Sequence, residues 1–214
     1  MTSPMGQAAL LSPDSVLHRA AERLAVQFAG MVSEETVERV VFESYTALTR
    51  TAAVRTHLPS LAEKFARDRL TALAQSKGLI AKPVPEVLFV CVQNSGRSQI
   101  AAALTRHIAG DRVHVRSAGS QPGERILPEV ALVLAEIDLD VTDEFPKPLT
   151  DDVVRAADAV VTMGCGDACP LYPGKRYLDW QLDDPADLDL DGVRRVRDDI
   201  RGRVEHLLAE LIHD

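Results

Sequence analysis

Cysteine is scarce in this chain of 214 residues: there are 3, an odd number that cannot close into the disulfide framework of a small secreted domain. In a reducing compartment so few thiols point to catalytic or redox work. Long apolar runs are missing too. None approaches the length of a membrane span, and the N-terminal residues lack the basic and apolar pattern of a signal peptide. Both absences predict a soluble, cytoplasmic protein with no membrane contact. A basic surplus is also lacking, since the formal net charge is -8. Residues 1–80 hold 9 Lys and Arg against 8 Asp and Glu, and residues 81–214 hold 15 against 24. Neither part has the cationic excess that nucleic-acid backbones demand, so any bound anion is held by a local nest and not by a basic surface. The histidines (His18, His57, His107, His114, His206 and His213) show no paired spacing with cysteines or carboxylates. No metal and no cofactor are expected.

What the chain does have is a stretch that joins three kinds of chemistry. Val87-Leu88-Phe89-Val90-Cys91 is a continuous apolar run that predicts a buried strand, and the alanine-rich run from Gln99 predicts a helix. Between them lies Val92-Gln93-Asn94-Ser95-Gly96-Arg97-Ser98. A loop turning from a strand into a helix N-terminus points consecutive backbone N–H groups into one concavity, where the helix dipole adds positive potential. Such a nest holds a tetrahedral oxyanion, and Arg97 at its end supplies a planar fork for two oxygens. The same field favours a thiolate, which makes Cys91 the candidate nucleophile. Asn94 and Gly96 suit positions of positive φ. Ser98 can cap the helix or donate its hydroxyl to the thiolate.

Ahead of this stretch the periodicity predicts three amphipathic helices. Ser12 and Pro13 open the first, with Leu17, Ala21, Leu24 and Phe28 on one face and Gly30 as its stop. Ser33 caps the second, whose apolar face includes Val37, Val40, Val41 and Leu48. Pro59 and Ser60 open the third, with Ala62, Phe65, Ala66, Leu70 and Leu73 inward and Gly78 at its end. Residues 1–80 therefore read as a three-helix bundle, and residues 81–85, with two prolines, as a stiff linker. The bundle carries no cluster that suggests chemistry. It reads as a docking, dimerising or stabilising module, with a homodimer as one outcome; its near-neutral charge argues against a DNA-binding helix-turn-helix.

From residue 86 strands and helices alternate. After the first strand and helix come a strand at Val113–Ser117 ending in Ala118-Gly119, a helix at about Ile126–Ile137, and a short helix at about Asp151–Ala157 capped by Thr150. A strand at Ala159–Met163, a fourth near Lys175–Trp180 and a long final helix follow. This order implies an α/β, flavodoxin-like, doubly wound four-stranded parallel sheet whose ligands sit beyond the carboxyl ends of the strands. Two more motifs fall at that edge. Cys165 and Cys169 follow the third strand among glycines that give the loop freedom to bring one thiol to another. A Cys-x3-Cys pair without further ligands is a poor zinc motif, which favours a redox role. The acidic run Asp183-Asp184-Pro185-Ala186-Asp187 follows the fourth strand, and Trp180 before it reads as core.

The Cys91–Ser98 loop, with Asp184-Pro185, resembles the low-molecular-weight protein tyrosine phosphatase superfamily, which includes thiol-dependent arsenate reductases. The resemblance runs from about residue 86 to the C-terminus. It implies that Asp184 is the general acid, while Asp183 and Asp187 read as solvated. It also implies either a phosphatase or an arsenate reductase. Cys165 and Cys169, Gly96 where the phosphatases carry a second cysteine, and the lack of tyrosines after Pro185 favour the reductase. An aromatic content of only 4% fits a small inorganic substrate. The implied route is attack of Cys91 on arsenate, attack of Cys165 on Cys91, and transfer of the disulfide to Cys165–Cys169 for thioredoxin to reduce. Alternatives left open are a phosphatase and a reductase using mycothiol with a mycoredoxin. Gln93 departs from the family's usual glycine, and the short Cys165–Cys169 interval leaves the order of attack open.

Overall fold

The computed structural model describes residues 12–51, 57–164 and 169–212. Contacts divide the chain into two compact units, Met1–Ile80 and Ala81–Asp214. The first unit consists of α1 (Pro13–Gln27), α2 (Glu34–Thr49) and α3 (Leu58–Ser76). Ser12 and Ser33 cap the first two helices, each accepting a backbone N–H three residues on at 3.3 Å. Third-turn spacing then drives Leu17, Leu24, Phe28, Val37, Val41, Phe65 and Leu70 into one core. Buried Arg69 is held by Glu43 at 3.0 Å and by the Ser44 hydroxyl at 3.3 Å. One expected core position differs: Leu73 is half-buried, and its small neighbours Ala72 and Ala74 are the buried ones.

In the second unit four strands form a parallel sheet in the order β2-β1-β3-β4. They are β1 (Glu86–Cys91), β2 (His114–Gly119), β3 (Ala159–Met163) and β4 (Arg176–Asp179). The connecting helices are α4 (Arg97–Ala109), α5 (Pro128–Ala135), α6 (Asp151–Ala156) and α7 (Leu190–Leu211). Val87 to Val90 are fully buried, so the central strand shows no alternation of polar and apolar residues. Val87, Phe89, Val161 and Met163 share one core with Ile100 and Leu104 of α4 and Val193, Ile200 and Val204 of α7. Trp180 joins that core, its ring 5.8 Å from that of Phe89. The chain leaves β1 toward β2 on one side and returns to β3 on the other. The crevice at this reversal opens at the carboxyl end of β1, where Cys91 lies level with Gly119 and Met163.

One boundary and one cap differ from expectation for identifiable reasons. The expected helix over residues 126–137 shrinks to α5, because Pro128 starts it and Asp138, at φ 60, turns the chain left-handed at its end. The Leu139 N–H reaches back to the Leu134 carbonyl across that turn, which leaves Ile137 outside the helix. Thr150 does stand at the cap position of α6, but its buried hydroxyl makes no cap bond. Among the described residues no helix is long and apolar enough to cross a membrane.

Candidate active site

Cys91 is the last residue of β1 and is buried. The loop after it is shaped from outside by the segment that follows β2. The N–H groups of Ser120, Gln121, Gly123 and Leu127 donate to the carbonyls of Cys91, Val92, Gln93 and Ser95 at 3.1, 2.8, 2.8 and 3.0 Å. A trans peptide places its N–H opposite its carbonyl. With these carbonyls turned outward, the N–H groups of Val92, Gln93, Asn94 and Gly96 are turned inward. The Asn94 N–H shows the result, reaching Cys91 Sγ at 3.2 Å.

Asn94 takes the left-handed conformation, with φ 51, and its buried side chain ties the loop together. Its Oδ1 accepts from the Lys147 backbone N–H at 2.8 Å and from Gln99 Nε2 at 3.2 Å, while its Nδ2 donates to Ser98 Oγ at 2.7 Å. Ser98 Oγ lies 2.9 Å from Cys91 Sγ. Because Asn94 supplies a proton to the serine oxygen, the serine's own hydrogen is available for sulfur, and the chain of donors ends on Cys91. Of the two positions expected for Ser98, the structure places its hydroxyl beside the sulfur and not at the cap. α4 begins at Arg97, so Ser98 stands inside its first turn and the cap position belongs to Gly96.

Gly96 departs from expectation: its φ is -131, not positive. Space explains the glycine, since a Cβ there would stand 3.3 Å from Pro185 Cγ and 3.5 Å from Leu127 Cδ1. Val92 is half-buried and the Gln93 side chain is exposed, whereas Ser95 is buried. At these loop positions the backbone is the useful group.

Arg97 is 8% exposed, and its fork faces neighbouring protein atoms. Nη2 contacts Asp184 Oδ2 at 2.5 Å and Nη1 reaches the Leu182 carbonyl at 3.4 Å. Its buried Nε has no hydrogen-bond partner among the described residues. Asp184 caps the short turn Pro185–Asp187 by accepting the Ala186 N–H at 3.2 Å, and buried Pro185 lies against Gly96. The acidic run thus packs on the nest through Asp184 and Pro185, while Asp183 and Asp187 are exposed. Gly164, one residue past β3, also closes on this point, where an added Cβ would stand 2.9 Å from Arg97 Nη1. Cys169 is buried and follows the same loop. Cys165 lies outside the described residues.

Several supporting residues escape sequence reasoning. Gln99 reads there as an ordinary helix former, yet its buried amide also donates to the Asn94 and Phe145 carbonyls at 3.1 and 3.3 Å. Lys147 offers a backbone N–H from fifty-three positions away, which no local pattern reveals. The Gln121-Pro122-Gly123 turn did carry a signal, its Pro-Gly pair.

Comparison with known proteins follows the division of the chain. Residues 86–214 match the family described as low molecular weight phosphotyrosine protein phosphatase, and residues 17–74 match a protein-tyrosine-phosphatase-like N-terminal domain. A solved structure described as a thioredoxin-dependent arsenate reductase of Corynebacterium glutamicum is 53% identical with a TM-score of 0.86. The match covers 92% of this chain and 96% of that one. A solved arsenate reductase in a phosphate-binding state is 30% identical with a TM-score of 0.53, over 60% of this chain and all of that one. Arsenate reductase 1 of Bacillus cereus is 36% identical over 123 residues, 56% of this chain and 90% of its own length. The thiol-bearing strand end, the inward-turned nest and the helix that opens on Arg97 therefore have a common origin with these proteins, and the chain belongs to the low molecular weight phosphotyrosine protein phosphatase family.

Proposed function

We propose that this protein reduces arsenate to arsenite through a thiol–arsenate adduct on Cys91 and a Cys91/Cys165/Cys169 disulfide relay regenerated by thioredoxin, in the service of arsenic detoxification. The observation that carries the reading is the convergence on Cys91 Sγ of the Ser98 hydroxyl at 2.9 Å and the Asn94 N–H at 3.2 Å, beside a buried Arg97 whose Nε is unused. These donors stabilise a thiolate, and the remaining inward N–H groups suit a tetrahedral oxyanion.

In the first step the Cys91 thiolate attacks arsenic. An S–As bond forms, an As–O bond breaks, and Asp184 gives its proton to the oxygen that leaves as water. For this, arsenate takes over donors of Arg97 that now face Asp184 and Leu182. In the second step the Cys165 thiolate attacks Cys91 sulfur; the electron pair of the S–As bond passes to arsenic, which leaves as arsenite. Cys169 then attacks Cys165, freeing the Cys91 thiolate and leaving the Cys165–Cys169 disulfide. The name of the Corynebacterium protein, similar over both units, favours thioredoxin as reductant over mycothiol.

The test is arsenate-dependent NADPH oxidation by the purified protein with thioredoxin and thioredoxin reductase. Wild type should turn over, Cys91→Ser should be silent, and Cys169→Ser should lose steady turnover. Brisk p-nitrophenyl phosphate hydrolysis without NADPH consumption would instead make it a phosphatase, and turnover only with mycothiol and a mycoredoxin would replace the relay.

A further inference from the structure

The segment after Cys169 carries an exposed leucine on a braced turn. Cys169 is 8% exposed, whereas Leu171, two residues on, is 76% exposed. One side chain ties the backbone on both sides of it. The Tyr177 hydroxyl, from β4, accepts the Tyr172 N–H at 2.8 Å and donates to the Pro170 carbonyl at 3.1 Å. The Tyr172 ring in turn lies under the Arg155 guanidinium, 4.5 Å from its centroid. Of the large hydrophobic side chains exposed among the described residues (Val26, Leu79, Leu132 and Leu171), only the last adjoins a cysteine loop. Leaving it in water forgoes the stabilisation that burial would bring. A partner that covers it meets a turn already ordered, so little conformational freedom is lost on docking.

The chemistry says what that partner is. Thiol–disulfide exchange requires the attacking sulfur to reach a disulfide sulfur, so a protein reductant must lay its surface over the cysteines. Two residues of chain span at most about 7 Å, so a protein seated at Cys169 covers Leu171 as well. We propose that Leu171, on the turn braced by Tyr177, is the apolar docking point for a dithiol protein of the thioredoxin class that reopens the Cys165–Cys169 disulfide. This rests on the relay proposed above. One reductant thiolate attacks a sulfur of that disulfide, forming a mixed disulfide and releasing the other cysteine as a thiolate. The second reductant thiol, on losing its proton, displaces the remaining cysteine, so the reductant ends oxidised and both cysteines reduced.

The test uses the full chain, with Leu171→Ser and Leu171→Met beside wild type. Three quantities are measured: KM and kcat for thioredoxin, arsenite formed in one turnover of prereduced enzyme, and turnover driven by dithiothreitol. Leu171→Ser should raise the thioredoxin KM roughly ten-fold, as loss of one buried leucine contact implies, and leave the other two unchanged. Leu171→Met should recover a near-wild-type KM. An unchanged KM in Leu171→Ser overturns the docking point. An equal loss in all three measurements overturns it too, by placing Leu171 in the fold. If wild type forms arsenite once but is not recycled by thioredoxin, the partner class is wrong; if it forms none, the reductase reading itself fails.

Discussion

Gly119 closes the carboxyl end of β2 against the backbone of the nest, and adding one methyl group there tests whether nest geometry governs activity. A Cβ on Gly119 would stand 2.7 Å from the Val92 carbonyl oxygen, 2.9 Å from the Asn94 nitrogen and 3.0 Å from the Gln93 carbonyl carbon. Comfortable contacts lie near ~3.5 Å, so the two backbones must separate by about half an ångström or more. Neither side yields easily. Gly119 donates to the Lys147 carbonyl at 2.8 Å and accepts the Leu149 N–H at 2.9 Å, while the nest is held by the four bonds from residues 120–127. Overpacking of this kind costs about 1–3 kcal/mol of stability. A shift of ~1 Å in a reacting group can cost about 100-fold in rate, so half of it should cost roughly ten-fold. Gly123→Ala is the control: its Cβ meets Ser95 Oγ, which can rotate away at the expense of its 3.2 Å bond to the Gln93 carbonyl, about 1 kcal/mol. Urea unfolding, phosphate-induced thermal shift and single-turnover arsenite formation should all rank wild type above Gly123→Ala and Gly123→Ala above Gly119→Ala. A Gly119→Ala enzyme with wild-type anion affinity and rate would refute the claim that the outward carbonyl bonds set the nest.

Asp184→Asn keeps the size of the side chain and removes the carboxyl proposed as proton donor, so single-turnover arsenite formation should slow by about 100-fold or more; an unchanged rate would exclude Asp184 as the acid. Asn94→Ala removes the donor to Ser98 and the acceptor for Lys147 and Gln99; alkylation of Cys91 by iodoacetamide at pH 7 should slow several-fold, and an unaltered rate would show that the network does not reach the sulfur. Glu86 is buried at the opposite end of β1. Burial opposes its charge, but neighbouring His114 and the Arg116 guanidinium outweigh it and hold its carboxyl below the ordinary range. A carboxyl lowered in the folded state adds stability above its unfolded value, near ~4.3, and loses it as pH falls through the folded value. Glu86→Gln should therefore destabilise by about 3 kcal/mol in urea at pH 7, with the deficit shrinking in acid; a deficit constant down to pH 3 would refute this account.

The division into bundle and sheet was legible because both rest on periodicity. Ser12, Ser33 and the recurrences at helical spacing mark helices, and the run Val87–Cys91, short and rich in β-branched and aromatic residues, reads as a strand buried on both faces. Cys91 and Arg97 were legible because a strand, a loop of fixed length and a helix follow one another without interruption. What stayed hidden is non-local. Gly119 and Lys147 look unremarkable in their own neighbourhoods, and their importance comes from meeting Asn94 across 25 and 53 residues; Gln99 likewise reaches the Phe145 carbonyl across 46. Gly96 lies in the expected loop with a negative φ, and the side chain that crowds it, Pro185, belongs to a segment the loop sequence does not contain.

The dependence of the nest on residues 120–127 has a bearing on the chain while it is being made. Cys91 is synthesised well before the segment that turns its neighbouring carbonyls outward. Until that segment arrives and docks, the thiol sits on an unorganised loop with the ordinary reactivity of a cysteine. The donors that meet Cys91 Sγ, the Ser98 hydroxyl and the Asn94 N–H, are thus brought into place only when the sheet is assembled. On the mechanism proposed above, a nascent or misfolded chain has neither the anion nest nor the donors that prime the sulfur.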